Sequence, residues 1–417
     1  MINVIKGLDF NLKLLRMEES KVKEVEKEVD FIVEEIRTKG DLALHNFSLK
    51  FDNYDSKKYG FKISVPEIDL SNDFATAIKV MIERVKNYYI HEYKNSWFYK
   101  DGESILGQLI VPVDSVLLYV PGGKASYPST VVMGLIPAMI AGVKNLYVTT
   151  PPSKREDRNL LYTLRLLGIK ELYLLGGAHA ISAFAYGTES IPKVDMIIGP
   201  GNLYVALAKK RVFGDVNIDG IFGPSEILVW INYRGKDLNL RKIVCDFLAQ
   251  LEHSPYDRGW MILPEELLDK VMGLIKEEVE GSGRGDILKE AIKNSFLIIE
   301  EDEERAINLI NQIAPEHLEI IDFSGERHIP YIKNAGAIFI NHSSIFGDFI
   351  AGPSHILPTG GSAKFSSGLS VNSFLKRISF VKLSAKEQKI LAEYGSIIAR
   401  EEGFYMHEKS LRNYKEE

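Results

Sequence analysis

Residues 314–319 read Ala-Pro-Glu-His-Leu-Glu, and the adjoining Glu316 and His317 are the side chains best suited to proton chemistry. A carboxylate and an imidazole held together can take and return protons in two successive stages. Neighbours in a strand point to opposite faces, so a turn or the first turn of a helix is expected here. Pro315 suits the first helical position. A helix N-terminus disfavours a charged imidazole, which predicts a neutral His317 able to accept a proton. Taken alone, a Glu-His dipeptide is more often a solvent-facing pair in a loop.

Two further groups could hold a metal. Gln250 and His253 are three residues apart near the end of an expected helix, hence on one face and able to address one point. Imidazole is a common zinc ligand and a glutamine amide oxygen an uncommon one, so by itself this pair reads as a polar rim. Asp348 follows Gly347, and His355 comes seven residues later; a carboxylate in a glycine-rich loop suits a divalent cation, although taken alone such an Asp more often forms a turn and caps a helix. His355 could as well bond the backbone. The zinc-protease pattern His-Glu-x-x-His, a phosphate-binding P-loop and the dinucleotide fingerprint Gly-x-Gly-x-x-Gly are all missing. Residues 199–202 (Gly-Pro-Gly-Asn) still offer backbone amides after a strand. From these residues alone the reading is an α/β enzyme that could bind a metal through His, Gln and Asp side chains.

Composition narrows the partners. The 417 residues are 45% apolar and 26% charged, with a net charge of -6, the balance of an ordinary globular protein. That charge argues against nucleic acid or an anionic membrane as the main partner. Cys245 is the only cysteine, which excludes an intrachain disulfide and a thiolate metal cluster. No apolar run reaches the roughly 18 residues of a membrane span. The first residues lack a basic stretch followed by an apolar one, so a cytoplasmic location is expected.

The elements that must position these groups follow from periodicity. Residues 18–39 carry Val22, Val25, Val29, Ile32, Val33 and Ile36 at helical spacing, with Gly40 as a stop. A second long helix is expected over 70–96. From about residue 109, short β-rich runs at 115–120, 145–150, 171–175 and 196–198 each end in glycine or proline and lead into a helix. That alternation predicts a parallel sheet whose strand C-termini line a ligand edge. Strands near 226–230, 259–263, 295–299 and 337–340, with a helix over 238–253, predict a second α/β unit completed by the N-terminal helices. Residues 384–417 read as a polar helical tail after a last strand-like run at 378–383.

Together these segments closely resemble histidinol dehydrogenases across roughly residues 20–410. The matching blocks are 119–123 (Tyr-Val-Pro-Gly-Gly), 127–130 (Tyr-Pro-Ser-Thr), 175–178 (Leu-Gly-Gly-Ala), 185–188 (Ala-Tyr-Gly-Thr) and 199–202. They continue with 223–226 (Gly-Pro-Ser-Glu), 250–253 (Gln-Leu-Glu-His), 314–317, 347–348 and 365–369 (Phe-Ser-Ser-Gly-Leu). Each block is weak alone, and their shared order is specific.

The resemblance implies a zinc- and NAD-dependent enzyme that oxidises L-histidinol through L-histidinal to L-histidine. The alternative is a same-family enzyme for another amino-alcohol or vicinal diol. The implied fold is two incomplete Rossmann-like α/β domains with parallel sheets, plus helical N- and C-terminal extensions. Its implied domains are an arm at 1–20, a metal and catalytic domain at 21–117 with 225–380, a cofactor domain at 118–224 and a tail at 381–417. One zinc per subunit would be held by Gln250, His253, Asp348 and His407, the last from the partner of a homodimer with shared active sites. These four, with Ser225, His317 and Glu402, are the implied substrate contacts. Tyr119, His179 and Asn202 are the implied cofactor contacts, although His179 stands where the family commonly has glutamine. Glu316 would activate water, and His317 would manage the protons of both hydride transfers. No nucleic acid or membrane is implied as partner.

Overall fold

A computed structural model describes residues 2–9, 19–123, 126–233 and 238–416. Half of the expected N-terminal arm at 1–20 lies outside the described residues. The chain forms two compact units: residues 1–92 with 114–373, and residues 93–113 with 374–417.

The first unit holds two six-stranded sheets. In one, the strand order is Lys62–Ser64, Glu171–Leu174, Asn145–Thr150, Ser115–Tyr119, Met196–Ile198 and Asn217–Ile218. All neighbours are parallel except the edge strand Lys62–Ser64. Strands covered on both faces are apolar without interruption, as Val116, Leu117 and Leu118 show. The helix Pro128–Ala141 begins with proline at its first position and lies so close to the sheet that a Cβ on Gly134 would sit 2.7 Å from Leu118 Cδ1. Helices Glu19–Lys39 and Asp41–Asp52 share one apolar cluster with Gly177–Tyr186 and Leu203–Val212. The N-terminal helices therefore pack on this sheet, where the sequence had suggested the later α/β unit. A 3.6-residue apolar stripe says which face is buried and nothing about its partner.

The second sheet is entirely parallel, in the order Asn3–Lys6, Phe296–Ile299, Arg258–Leu263, Glu226–Ile231, His317–Ile321 and Ala337–Ile340. Alternate residues of the Glu226–Ile231 strand feed two cores. Ile227, Val229 and Ile231 pack under helices Leu240–Ala249 and Leu268–Gly281, while Leu228 and Trp230 pack under Glu303–Ile313. Glu226 pairs with Arg258, and Ile227 pairs with His317. These strands therefore begin together, and their first residues share the amino edge of the sheet.

The second unit is a three-stranded antiparallel sheet with a helical hairpin. Ser104–Pro112 lies between Trp97–Asp101 and Leu375–Lys382, and helix Ala385–Glu401 packs on Tyr405–Glu416. The expected helix over 70–96 ends at Tyr89, and the residues after it turn into this hairpin. The hairpin turn is Gly102-Glu103, between the paired Asp101 and Ser104, with Gly102 at φ 59. The strand-like run expected at 378–383 before the helical tail is the strand Leu375–Lys382, which pairs back on residues 105–112. Among the described residues no helix is long and apolar enough to cross a membrane.

Candidate active site

Helix Glu303–Ile313 ends at Ala314, which takes a left-handed conformation (φ 55) and donates its N–H to Ile310 O. Pro315 follows, and His317 opens the next strand. Glu316 and His317 therefore sit between a helix end and a strand start, and the expected helix N-terminus is replaced by this joint. The neighbouring loop approaches closely: Ala337 N–H donates to Glu316 O, and a Cβ on Gly336 would lie 2.5 Å from that oxygen.

Both side chains are buried and held by residue 226. Glu316 Oε2 accepts the Glu226 N–H (2.9 Å) and the Ser225 hydroxyl (3.2 Å). His317 Nδ1 lies 3.1 Å from the Glu226 carbonyl oxygen, and His317 Nε2 lies 3.2 Å from Asp348 Oδ1. Burial raises the Glu316 carboxyl to about 7, against the opposing pull of His317. Burial works against an imidazolium at His317, yet the carboxylates of Glu316 and Asp348 outweigh it and raise the group to about 9. The neutral imidazole expected from a helix N-terminus is not what this arrangement produces. Two carboxylates replace the helix dipole. Burial, then the charge of Glu316, also pushes the Glu226 carboxyl up to about 8.

The residues read as metal ligands come partly together. Gln250 is buried, and its Nε2 donates to Asp348 Oδ2 (2.5 Å) and to Ser344 Oγ (3.2 Å). Its Oε1 accepts from Ser225 Oγ at 3.4 Å. Helix Leu240–Ala249 ends before Gln250, so His253 stands in the following turn and the pair does not share a helix face. That turn is fixed by buried Asp257, which accepts the N–H groups of Ser254 (2.5 Å) and Ser225 (3.1 Å). Asp348 lies in a short helix, Ile345–Phe349, in place of the glycine-rich loop expected. His355 bonds the Asp348 carbonyl oxygen through Nδ1 (2.9 Å) and faces Thr130 Oγ1 at 3.3 Å, the backbone-bonding role weighed for it. Glu402 and His407 are exposed within the second unit.

The donor set fits a divalent cation. Asp348 draws both the Gln250 amide and the His317 imidazole N–H toward it. A half-turn of the amide would present Gln250 Oε1 beside Asp348 Oδ2. A second cluster, Glu303, Asp322 and His328, brings three ligand atoms within 4.8 Å of one another. Arg327 already pairs with Glu303 (2.5 Å) and Asp322 (3.3 Å), and His328 Nε2 lies 2.8 Å from Asp322. That cluster is an ion-pair network.

At the first sheet, Tyr119 ends its strand with its hydroxyl accepting the Gly177 N–H (3.1 Å). The loop at 199–202 reaches the same strand end, where a Cβ on Gly199 (φ 109) would lie 2.2 Å from Tyr119 O. Strand order reverses between Ser115–Tyr119 and Met196–Ile198, so both loops border the switch point where open parallel sheets bind ligands. Asn202, an exposed residue, caps helix Leu203–Val212 through Oδ1. His179 is buried, with Nε2 3.0 Å from Asp52 Oδ2 and its ring stacked on Phe51.

Glu226, Asp257 and Ser344 escaped the sequence reading. Glu226 lay inside a matched block, but its backbone does the gripping, which a side-chain motif does not reveal.

A switch-point edge beside one sheet and a buried carboxylate–imidazole pair on another define an α/β enzyme of proton-coupled chemistry on a bound ligand. The histidinol dehydrogenase family model matches residues 15–414, and the chain belongs to that family. It is 41% identical over 412 residues to the histidinol dehydrogenase of Sulfurimonas denitrificans, covering 96% of this chain and 95% of the relative. It is 40% identical over 428 aligned positions to that of Bacillus licheniformis, covering 99% of each. The solved histidinol dehydrogenase from Elizabethkingia anophelis superposes with a TM-score of 0.87 at 28% identity, covering 99% of this chain and 98% of that one.

Proposed function

We propose that Glu316 and His317 divide the acid–base work of the family's reaction, the NAD-dependent oxidation of L-histidinol to L-histidine in histidine biosynthesis. The chain is an NAD-dependent oxidoreductase of that family. The named relatives favour histidinol over another amino-alcohol or diol.

The observation that carries the division is the double grip of residue 226. A carbonyl can only accept, so the Glu226 oxygen keeps a proton on His317 Nδ1, and the charged ring, whose Nε2–H faces Asp348, becomes a proton acceptor at Nε2 once that second proton is given up. Nε2 would take the alcohol proton while hydride leaves the carbinol carbon for NAD. Glu316, held by two donors on Oε2, keeps a lone pair to remove a proton from water attacking the aldehyde. His317 would take the proton of the resulting hydrate as the second hydride leaves for a second NAD.

Gln250, His253, Asp348 and His407 are the residues that would hold zinc, one per subunit. Bound there, the metal would orient the substrate through its imidazole and amine. Ser225, Glu402 and His317 would complete the substrate contacts. Tyr119, His179 and Asn202 would border NAD in a cofactor domain of residues 118–224. Asp52 occupies one nitrogen of His179, so Nδ1 is the atom left to it. We read the assembly as a homodimer with shared sites. Support comes from Trp97, Tyr99, Ile398, Phe404 and Met406, apolar side chains the second unit leaves exposed. A cytoplasmic location accords with this pathway.

The test is to supply histidinol and NAD and count products. Two NADH per histidinol, with histidine formed, are expected. No NADH from histidinol, with turnover of another diol, would overturn the substrate.

A further inference from the structure

The loop at 199–202 is held by two charges that no step above uses. Gly199 donates its N–H to Asp219 Oδ2 (2.6 Å), and its carbonyl oxygen accepts from Lys209 Nζ (3.0 Å). Lys209 Nζ also pairs with Asp219 Oδ1, closing a ring around one residue's backbone. Both side chains are fully enclosed, at 1% and 0% exposure. Phe222 lies against the ammonium, its ring centre 4.6 Å from Nζ.

The three parts come from different elements. Lys209 sits on helix Leu203–Val212, which Asn202 caps, and Asp219 follows the edge strand Asn217–Ile218. Gly199 has a left-handed φ of 109 and touches the end of the Tyr119 strand. With the N–H and the C=O of Gly199 both bonded, neither peptide plane flanking its Cα can rotate without breaking a buried, charge-assisted bond.

Burying two charges is costly, and apolar side chains of similar volume would fill the space as stably. Apolar groups could not hold Gly199 on both sides. From the ring around Gly199 and its place at the sheet's switch point, we infer that Lys209 and Asp219 are positioning residues for the cofactor. They fix residues 199–202 so that Asn202 and the backbone of Gly201 meet NAD in one geometry. This rests on the reading of that loop as the cofactor edge. The two residues touch neither substrate nor cofactor.

The test uses the full-length protein and NADH. In hydrogen exchange, the Gly199 amide should exchange as slowly as the sheet amides, although it lies in a loop; loop-like exchange would overturn the clamp. The neutral double variant K209M/D219N keeps an acceptor for the Gly199 N–H but frees its carbonyl. It should bind NADH about tenfold more weakly, as expected of a slightly misplaced binding group. The Michaelis constant for NAD should rise in parallel, with that for histidinol and the metal content unchanged within about twofold. Phe222→Leu, which leaves the ring of bonds intact, should retain NADH affinity. Should NADH fail to slow exchange at residues 201–204 of the unaltered protein, the cofactor-edge reading falls and the clamp with it. Slowed exchange there, with unaltered NADH binding in K209M/D219N, overturns the clamp alone.

Discussion

The backbone of Glu226 holds the Glu316 carboxylate by its N–H and faces His317 Nδ1 with its carbonyl, at 2.9 and 3.1 Å. One peptide segment thereby sets the orientation of both acid–base groups while its own side chain stays buried. The two neighbours in sequence can then act on different protons. His317→Ala should lower histidinol oxidation by about 10²–10⁴-fold, the usual span for losing a general base. Glu316→Gln should chiefly slow oxidation of supplied histidinal. Loss of only the first oxidation in Glu316→Gln would reverse the assignment.

Gly336 offers a purely geometric test. A methyl group there would stand 2.5 Å from the Glu316 carbonyl oxygen, and backbone on both sides has little room to yield. Gly336→Ala should melt several degrees lower and lose activity in both half-reactions, with a stability loss of about 1–3 kcal/mol from overpacking. Unchanged melting and turnover would show that this joint tolerates displacement.

The candidate site residues were legible in the sequence because side-chain type and order encode them. Their setting was less so. Glu316 and His317 were expected at a helix start, since Pro315 suits that position as well as it suits the exit from the left-handed Ala314. Local sequence does not separate the two; pairing of His317 beside Ile227 decides it. The alternating strands and helices of both parallel sheets could be read from their continuous apolar runs. The Trp97–Asp101 hairpin could not, because its exposed aromatic face lacks the buried-polar alternation of a strand. Contacts made through the backbone, such as those of Glu226, leave no side-chain signature.

Buried Glu319 makes stability depend on pH. Its Oε1 accepts the Ser344 N–H (2.6 Å), its Oε2 has no partner among the described residues, and burial raises the carboxyl to about 7. Between about pH 4.5 and 7 the folded chain holds this proton while the unfolded chain releases it, so stability falls as pH rises through that window. The full difference is roughly 3 kcal/mol by pH 8. Glu319→Gln removes the titration and keeps the acceptor. Without added metal it should melt like the parent at pH 5 and above it at pH 8. Equal melting at both values would mean that the carboxyl ionises freely.

His407 is the proposed zinc ligand carried by the C-terminal tail. It is exposed on helix Tyr405–Glu416, whose partner helix it needs: Gly395 packs against Leu411. Cutting the chain before residue 400 would remove that packing as well, so the point substitution is the cleaner probe. His407→Ala should bind zinc at least about tenfold more weakly, as loss of one ligand of four implies, with unchanged melting of the metal-free protein. Mixing His407→Ala with His317→Ala chains then tests where the tail goes. If each tail serves its partner's site, half of the randomly formed dimers carry one site with both residues intact, restoring about a quarter of full activity. If each tail serves its own chain, every site keeps one defect and mixing restores nothing. Full zinc affinity in His407→Ala would remove this residue from the ligand set whatever the mixing showed.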